Sequence, residues 1–503
     1  MSSATTTVAP GDEAADGPGG SEPAAAASAA TAGSSPWYSD GLALLLAGAM
    51  AVMAAPAVAD NSALTHLAIG RLFLDEGVPT NNPFLYSSTD FPIPSWWWSG
   101  VLAVADRVAG GAGIRMVTVL LAAALGALLV RLSRPAPGQD PAGAGLLSVL
   151  VPVVCAFVTL MLFLTARPHL PGFLLLGVTV LVVRERRSPW WLVPVFATWV
   201  NVHGTWFYGL LVLGLLVVCD AMDRRRLTWR QVWLPVAAVL GVAAGGVLYP
   251  ETFRLVGLPF EQFGDDRARM ALSAYTEWTP AGWSHPLTWL LVAMGLAALF
   301  GGVRRRAWGT VLGSLLLVAM GLSAMRLLPL AAITLVPWVA AGMAGVGGAA
   351  LPRGRAAALL AATGAALVAV ALVWSVRGPA YDLHTYPVAA VDWLDARGLV
   401  GRPDAKVATH DYAGNYLDWR YGRGANTYID DRAGTDTALD YLSMLRLHPG
   451  WQQALDRADP DVIVWEDNEQ LTGKLARSRD WYRAGSFDGF TVFCRSSIAD
   501  RCR

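Results

Sequence analysis

The chain has 503 residues, of which 54% are hydrophobic and only 15% charged, with 38 Lys and Arg balancing 38 Asp and Glu. So apolar a mixture excludes an ordinary soluble multidomain protein and reads as an integral membrane protein. A formal net charge of zero offers no basic surface for phosphate backbones, which excludes nucleic acid as a partner.

Residues 1–38 are mostly Ala, Ser, Gly, Thr and Pro with no basic residue, a composition expected to form a disordered cytoplasmic tail. No basic segment precedes the first apolar run, Gly41 to Ala59, so that run is read as an uncleaved spanning helix rather than a signal peptide. Further runs of roughly bilayer length lie near 114–132, 145–165, 170–184, 189–204, 206–220, 232–248, 286–302, 308–324, 327–347 and 355–376, giving about eleven transmembrane helices. Pro168, Pro194 and Gly204 interrupt some of them, and re-entrant pieces are compatible with that pattern.

The loops alternate in character. One set is rich in arginine: Arg131 and Arg134, Arg184 with Arg186 and Arg187, Arg224 to Arg226 with Arg230, Arg304 to Arg306, and Arg353 with Arg355. Short cytoplasmic loops retain such residues, so this set is assigned to the cytoplasm and the mixed, Trp- and His-containing set to the outer face. The fold class is thus an α-helical polytopic protein of the cell membrane. Its transmembrane domain spans 39–377, and an extracytoplasmic α/β domain spans 378–503. Strands are expected at Lys406–Thr409, Thr427–Asp430, Val462–Trp465 and Phe490–Phe493, and helices at Pro387–Arg397, Asn415–Tyr421, Ala438–Leu447 and Gln470–Arg477. Cys494 and Cys502 are close enough in sequence to pair in an oxidising compartment or to remain free.

Chemistry-bearing residues collect on the outer set. Asp60 ends the first span, and residues 62–75 have the apolar face of an amphipathic surface helix carrying His66 and Arg71. Asp60 suits a helix cap as well as a functional carboxylate. Asn82 follows in the same loop. Arg167-Pro168-His169 stands between two spans, where a cation normally needs an anionic partner. Asn201 and His203 end another span, and Glu251 and Arg326 lie on the same side. Trp96 to Trp98 read mostly as interfacial aromatic belt.

The run from Asp60 through His66-Leu67, Gly70-Arg71 and Pro83-Phe84, with Arg167-Pro168-His169-Leu170, Asn201-Val-His203-Gly204, Gly414 to Leu417 and Asp431-Arg432, resembles uncharacterised bacterial members of the C-type (GT-C) integral-membrane glycosyltransferases. The likeness covers nearly the whole chain after residue 40. It implies a GT-C-like bundle that moves a sugar from a polyprenyl-phosphate donor to a glycan, lipid or protein acceptor on the outer face, with inversion. On that resemblance Asp60 is the catalytic base, and Arg167, His169, His203 and Arg71 bind the donor phosphate. His66, Asn82, Asn201, Glu251 and Arg326 line the substrate site. Many such enzymes carry two adjacent acids where this chain has Asp60-Asn61, and commonly an acid where it has Asn82. Hard cations want several carboxylate oxygens, so no metal ligand is assigned and no cofactor is certain, a divalent cation staying open. The competing readings are a ligase or polymerase using a lipid-diphosphate glycan, with Arg326 or Arg254 supplying extra charge, a transporter or flippase, and an inactive scaffold.

Overall fold

A computed structural model describes residues 40–87, 91–135, 145–273, 275–346 and 350–503. The expected tail at 1–38 lies outside the described residues. Helices α1 (Gly41–Met53), α2 (Asn61–Glu76), α3 (Trp96–Ser133), α4 (Leu146–Leu160), α5 (His169–Arg184), α6 (Leu192–Val202), α7 (Trp206–Arg224) and α8 (Trp229–Gly246) lead into a long loop. That loop carries α9 (Arg254–Gly264) and α10 (Asp266–Leu272). The helical part ends with α11 (Pro286–Arg304), α12 (Trp308–Ser323), α13 (Leu328–Gly342) and α14 (Gly354–Arg377).

Every apolar run expected to span overlaps one of these helices, but α1, α4, α6 and α13 are shorter than the runs expected at 41–59, 145–165, 189–204 and 327–347. Among the described residues six helical stretches are long and apolar enough to cross a bilayer, and Gly41–Met53, His169–Arg184 and Trp308–Ser323 are shorter apolar helices. Large apolar side chains such as Leu120, Leu359 and Val370 are exposed on the bundle, where lipid would replace water. Helix α3 is two helices in one: it bends at Ala109–Gly110, where Gly110 takes φ 60°, a conformation glycine adopts without strain. Its first half lies beside α2, and its second half is the apolar run expected at 114–132.

The arginine-rich segments meet at one end of the bundle. Arg184 donates to the carbonyls of Arg131 and Arg134, Arg230 to those of Val182 and Arg187, and Arg304 to that of Ala344. Cations there satisfy carbonyls that helix C-termini leave without intrahelical partners. Arg115 is a contrasting case, fully buried near the opposite end. It donates to Ala55 O (2.9 Å), Ser375 O (3.1 Å) and Pro379 O (2.9 Å), fastening the ends of α1 and α14 to α3.

Beyond α14 come α15 (Val388–Asp395), β1 (Val407–Ala408), α16 (Asp411–Tyr421), α17 (Thr435–Arg446), α18 (Trp451–Ala458), β2 (Val462–Glu466), α19 (Gln470–Leu475), β3 (Trp481–Phe487) and β4 (Phe490–Arg495). The sheet order is β1-β2-β4-β3, with β1 parallel to β2 and the other pairs antiparallel. Two elements, α18 and β3, were not anticipated. The β3–β4 hairpin turns at Asp488-Gly489, a pair that favours such turns. The expected strand at Thr427–Asp430 is instead an extended segment making isolated bridges from Thr427 to Leu85 and to Val407. It thereby splices the loop after α2 to β1. Cys494 and Cys502 form a disulfide.

Candidate functional site

Four elements distant in sequence meet at the end of the bundle opposite the arginine-rich one. Asp60 caps α2, accepting from Ser62 N at 3.1 Å. The same oxygen, Oδ1, accepts from Arg167 Nε at 2.5 Å. Arg167 stands just before α5, and Pro168 at the cap position starts that helix at His169, as proline's fixed φ favours. The Arg167 guanidinium is used on all sides: Nη2 donates to Asn61 Oδ1 and Nη1 to Glu277 Oε2, each at 2.7 Å. Glu277 also accepts from Arg326 at 3.3 Å, and Arg326 lies over the Trp278 ring at 4.0 Å. Two carboxylates and two guanidiniums therefore alternate in one chain, from Asp60 through Arg167 and Glu277 to Arg326. Withdrawal from water opposes ionisation of Glu277, but the charges of Arg326 and Arg167 outweigh it and hold its carboxyl below the usual carboxylate range.

Three imidazoles line the same space. His203, where α6 ends in extended backbone, contacts Thr205 Oγ1 at 2.7 Å through Nδ1 and Arg326 at 3.3 Å through Nε2. His169 meets Phe163 O at 2.7 Å, and its ring lies 6.4 Å from that of His203. His66 contacts Ser99 Oγ at 2.9 Å. Burial first, then the charges of Arg432 and His203, hold His66 well below the usual imidazole range, so the ring is neutral at pH 7.

All of these groups line one cavity of about 710 Å³. Its polar wall holds Asp60, Arg167, Glu277 and Arg326. Its apolar flank includes Phe163, Val200, Trp206, Leu258 and Phe263, several of them on the bundle helices. A ligand with a charged head and a hydrocarbon tail matches that division. A second cavity of about 770 Å³ holds Tyr386, Tyr412, Glu466 and Asp467 and shares Asn61 and Asp411 with the first. The two cavities adjoin beside Asp60.

Other candidate residues are placed elsewhere. Arg71 lies outside the cavity because its guanidinium pairs with Asp106 of α3 at 2.8 Å. Asn201 is buried as a brace, accepting from Trp96 Nε1 at 2.8 Å and donating to Ala197 O and Gly245 O. Asn82 is buried in a latch, its amide donating to Asp430 Oδ2 at 2.6 Å. Glu251 is exposed and does not line the cavity, and Arg254 pairs with Glu261 at 2.8 Å. Trp96 and Trp98 are core residues here, with indole N–H groups satisfied by Asn201 and by Ala166 O. The cavity residues given no role from the sequence include Glu277 and Trp278, from the loop after α10, and Arg432, noted there only as part of the Asp431-Arg432 pair. The need of Arg167 for an anion was the signal that could have led to Glu277.

A divalent cation does not fit beside Asp60. Its Oδ1 and the Asn61 amide oxygen are both taken by the Arg167 guanidinium, whose positive charge stands where a dication would need oxygen. Among the described residues no group of three or more His, Cys, Asp or Glu side chains is arranged to hold a metal ion.

The latch behind the cavity carries its own titration. Asp430 accepts from Asn82 Nδ2 and from Arg432 N at 2.7 Å. Thr65 of α2 donates to Asp418 at 3.3 Å. Burial, opposed by Arg432 and reinforced by Asp431, pushes Asp430 up to about 6. Burial and then Asp430 raise Asp418 as well. A carboxyl whose folded pKa exceeds its unfolded value adds stability at low pH that is lost as pH rises through the folded pKa. Between pH 5 and 7.5 the wild type should therefore lose on the order of 1–3 kcal/mol relative to Asp430→Asn, measured as the pH dependence of the difference in denaturation midpoints. His410, which burial depresses to about 4, shifts both proteins alike and cancels. A pH-independent difference would remove Asp430 as the titrating group.

No family model matches the chain, and no curated protein matches it. Among solved structures it is similar to the archaeal oligosaccharyltransferase AglB from Archaeoglobus fulgidus in complex with an inhibitory peptide and a dolichol-phosphate. That match has a TM-score of 0.48 at 10% identity, covering 84% of this chain and 69% of the other. A structure of the Archaeoglobus fulgidus oligosaccharyltransferase, tethered by a disulfide to an acceptor peptide containing the NVT sequon, matches with the same TM-score and identity over 84% and 68%. Both are likenesses of backbone arrangement. The chemistry of this chain rests on its own residues.

Proposed function

We propose that the protein is a membrane glycosyltransferase of the GT-C kind, moving a sugar from a polyprenyl-phosphate donor to an acceptor hydroxyl at the outer leaflet. The observation that carries this reading is the direct Asp60–Arg167 pair within a cavity that has a charged head and an apolar flank. The arginine-rich end is taken as cytoplasmic by the charge rule for short loops, which turns the cavity outward. The segment 378–503, taken as a domain of its own, covers the site.

In the proposed step the acceptor oxygen attacks the anomeric carbon, forming one C–O bond as the bond to the phosphate oxygen breaks. The departing phosphate keeps the bonding electron pair, and the configuration inverts. The acceptor proton passes to Asp60 Oδ2, the oxygen that neither Arg167 nor Ser62 occupies. Arg167 orients that carboxylate. Arg326, His169 and His203 stand on the donor side, where fixed charges and dipoles stabilise the developing phosphate charge. The acceptor enters from the adjoining cavity.

The test is the full chain in nanodiscs with a labelled polyprenyl-phosphate sugar and a cell-envelope extract as acceptor source. Transfer of label with inverted anomeric configuration is expected. Movement of the intact lipid across vesicles without bond cleavage would establish a flippase instead, and turnover of lipid-diphosphate glycans alone would establish the ligase reading.

A further inference from the structure

We propose that Arg432 is a phosphate-binding residue of this cavity, carried into it by the segment that follows β1 and α16. The inference rests on the donor assigned above and concerns which cation meets its phosphate.

Local packing delivers this side chain. Thr427 N donates to Phe84 O, and Tyr86 N to Thr427 O, so the segment runs against the loop after α2. Gly414 of α16 packs on it so closely that a Cβ there would lie 1.9 Å from Ile429 O, an approach only glycine allows. Asn415 Oδ1 then accepts from Asp431 N at 3.2 Å, and Asp430 Oδ1 from Arg432 N at 2.7 Å. The backbone of Arg432 is thus fixed from two sides, and its side chain is 4% exposed and lines the cavity.

The guanidinium, by contrast, is unsatisfied. Nη1 and Nη2 are both buried with no hydrogen-bond partner among the described residues. The other two arginines of the cavity differ: Arg167 and Arg326 are held by Asp60 and Glu277. A buried cation left without acceptors is strongly disfavoured, so a group carrying oxygens and negative charge is required. Phosphate meets that need through the forked geometry that arginine presents to it. The competing role is internal compensation of Asp418, Asp430 and Asp431, the carboxyls near it. Neither Nη1 nor Nη2 of Arg432 donates a hydrogen bond to any of them, and Asp430 and Asp418 are shifted toward their neutral forms by burial.

The experiment measures binding, which keeps it separate from turnover. Full-length protein in phosphatidylcholine nanodiscs is titrated with a polyprenyl phosphate lacking sugar and, separately, with inorganic phosphate. Arg432→Gln should weaken the lipid phosphate by about tenfold or more. It should also reduce the ligand-dependent rise in Tm at a given lipid concentration, as mass action requires of a weaker site. Arg432→Lys keeps the charge and loses the fork, so its affinity should fall between the two even where Arg432→Gln folds poorly. Wild-type affinity in a folded Arg432→Gln or in Arg432→Lys overturns the proposal. So does an unliganded Tm loss accompanied by unchanged affinity, which would mark Arg432 as an internal counter-charge. A defect toward inorganic phosphate alone overturns the lipid-linked source. If the wild type binds no polyprenyl phosphate at all, the donor assignment falls, and this inference with it.

Discussion

Asp60→Asn is expected to lower turnover by roughly 10²- to 10⁴-fold, the range that a positioned general base contributes, while the protein stays folded. The substitution is informative because Asn caps helices about as well as Asp, so the Ser62 N contact has a replacement acceptor. What Asn cannot do is accept the acceptor's proton or carry the charge that Arg167 meets at 2.5 Å. Affinity for a polyprenyl phosphate should change by less than about threefold, since in the proposed step the carboxylate faces the acceptor and not the departing group. Turnover within threefold of wild type, measured with the labelled donor, would reduce Asp60 to a helix cap.

Arg167→Lys is expected to fail almost as badly as Arg167→Gln, each losing about 10²- to 10³-fold in turnover. Lysine is ordinarily regarded as conservative, but Arg167 divides three nitrogens among Asp60, Asn61 and Glu277. An ammonium on a flexible stem cannot hold three partners in that fixed fork. Stability should also fall, because both carboxylates lose a shared cation. Asp60 is 13% exposed and Glu277 38%, so solvent screens part of the effect and the loss should be on the order of 2–3 kcal/mol, below the 3–5 of a fully buried pair. Arg167→Gln combined with Glu277→Gln should recover part of the Tm and none of the turnover. Recovery of activity in Arg167→Lys would mean that charge alone suffices there.

Features that depend on local pattern were readable in the residues. Apolar length located a helix in each expected span, though several are shorter than the run, and the pattern after Asp60 anticipated α2 as a helix, because periodicity and hydropathy are properties of a contiguous segment. The burial of α2 from Ala63 through Gly70 departs from the expected surface helix. Asp60, Arg167, His169, His203, His66 and Arg326 do share one cavity. What escaped were relationships between distant segments. Nothing near Arg71 announces Asp106 on the facing helix, and nothing near Asn82 announces Asp430, so both looked available for a ligand. Glu277 and Arg432 lie in loops separated from Arg167 by more than a hundred residues, and only tertiary packing brings them to the cavity. The tryptophans after Pro94 misled for a related reason. Position at a helix end suggests an interface, whereas the indole partners of Trp96 and Trp98 decide that they are buried.

Arg115 bears on the order in which the chain is assembled. Ala55 is synthesised before it, but Ser375 and Pro379 emerge some 260 residues later. Through most of translation this guanidinium therefore sits in an apolar helix with part of its hydrogen-bonding capacity unmet. The arrival of α14 relieves it, and that helix is the least enclosed of the candidate spans, with only 11% of its apolar window buried. That helix lies along α1, where Gly364 comes so close that a Cβ would sit 2.1 Å from Leu44 O, and the Arg115 bonds to Ser375 and Pro379 tie its C-terminal end to α3 only once this last span has been made.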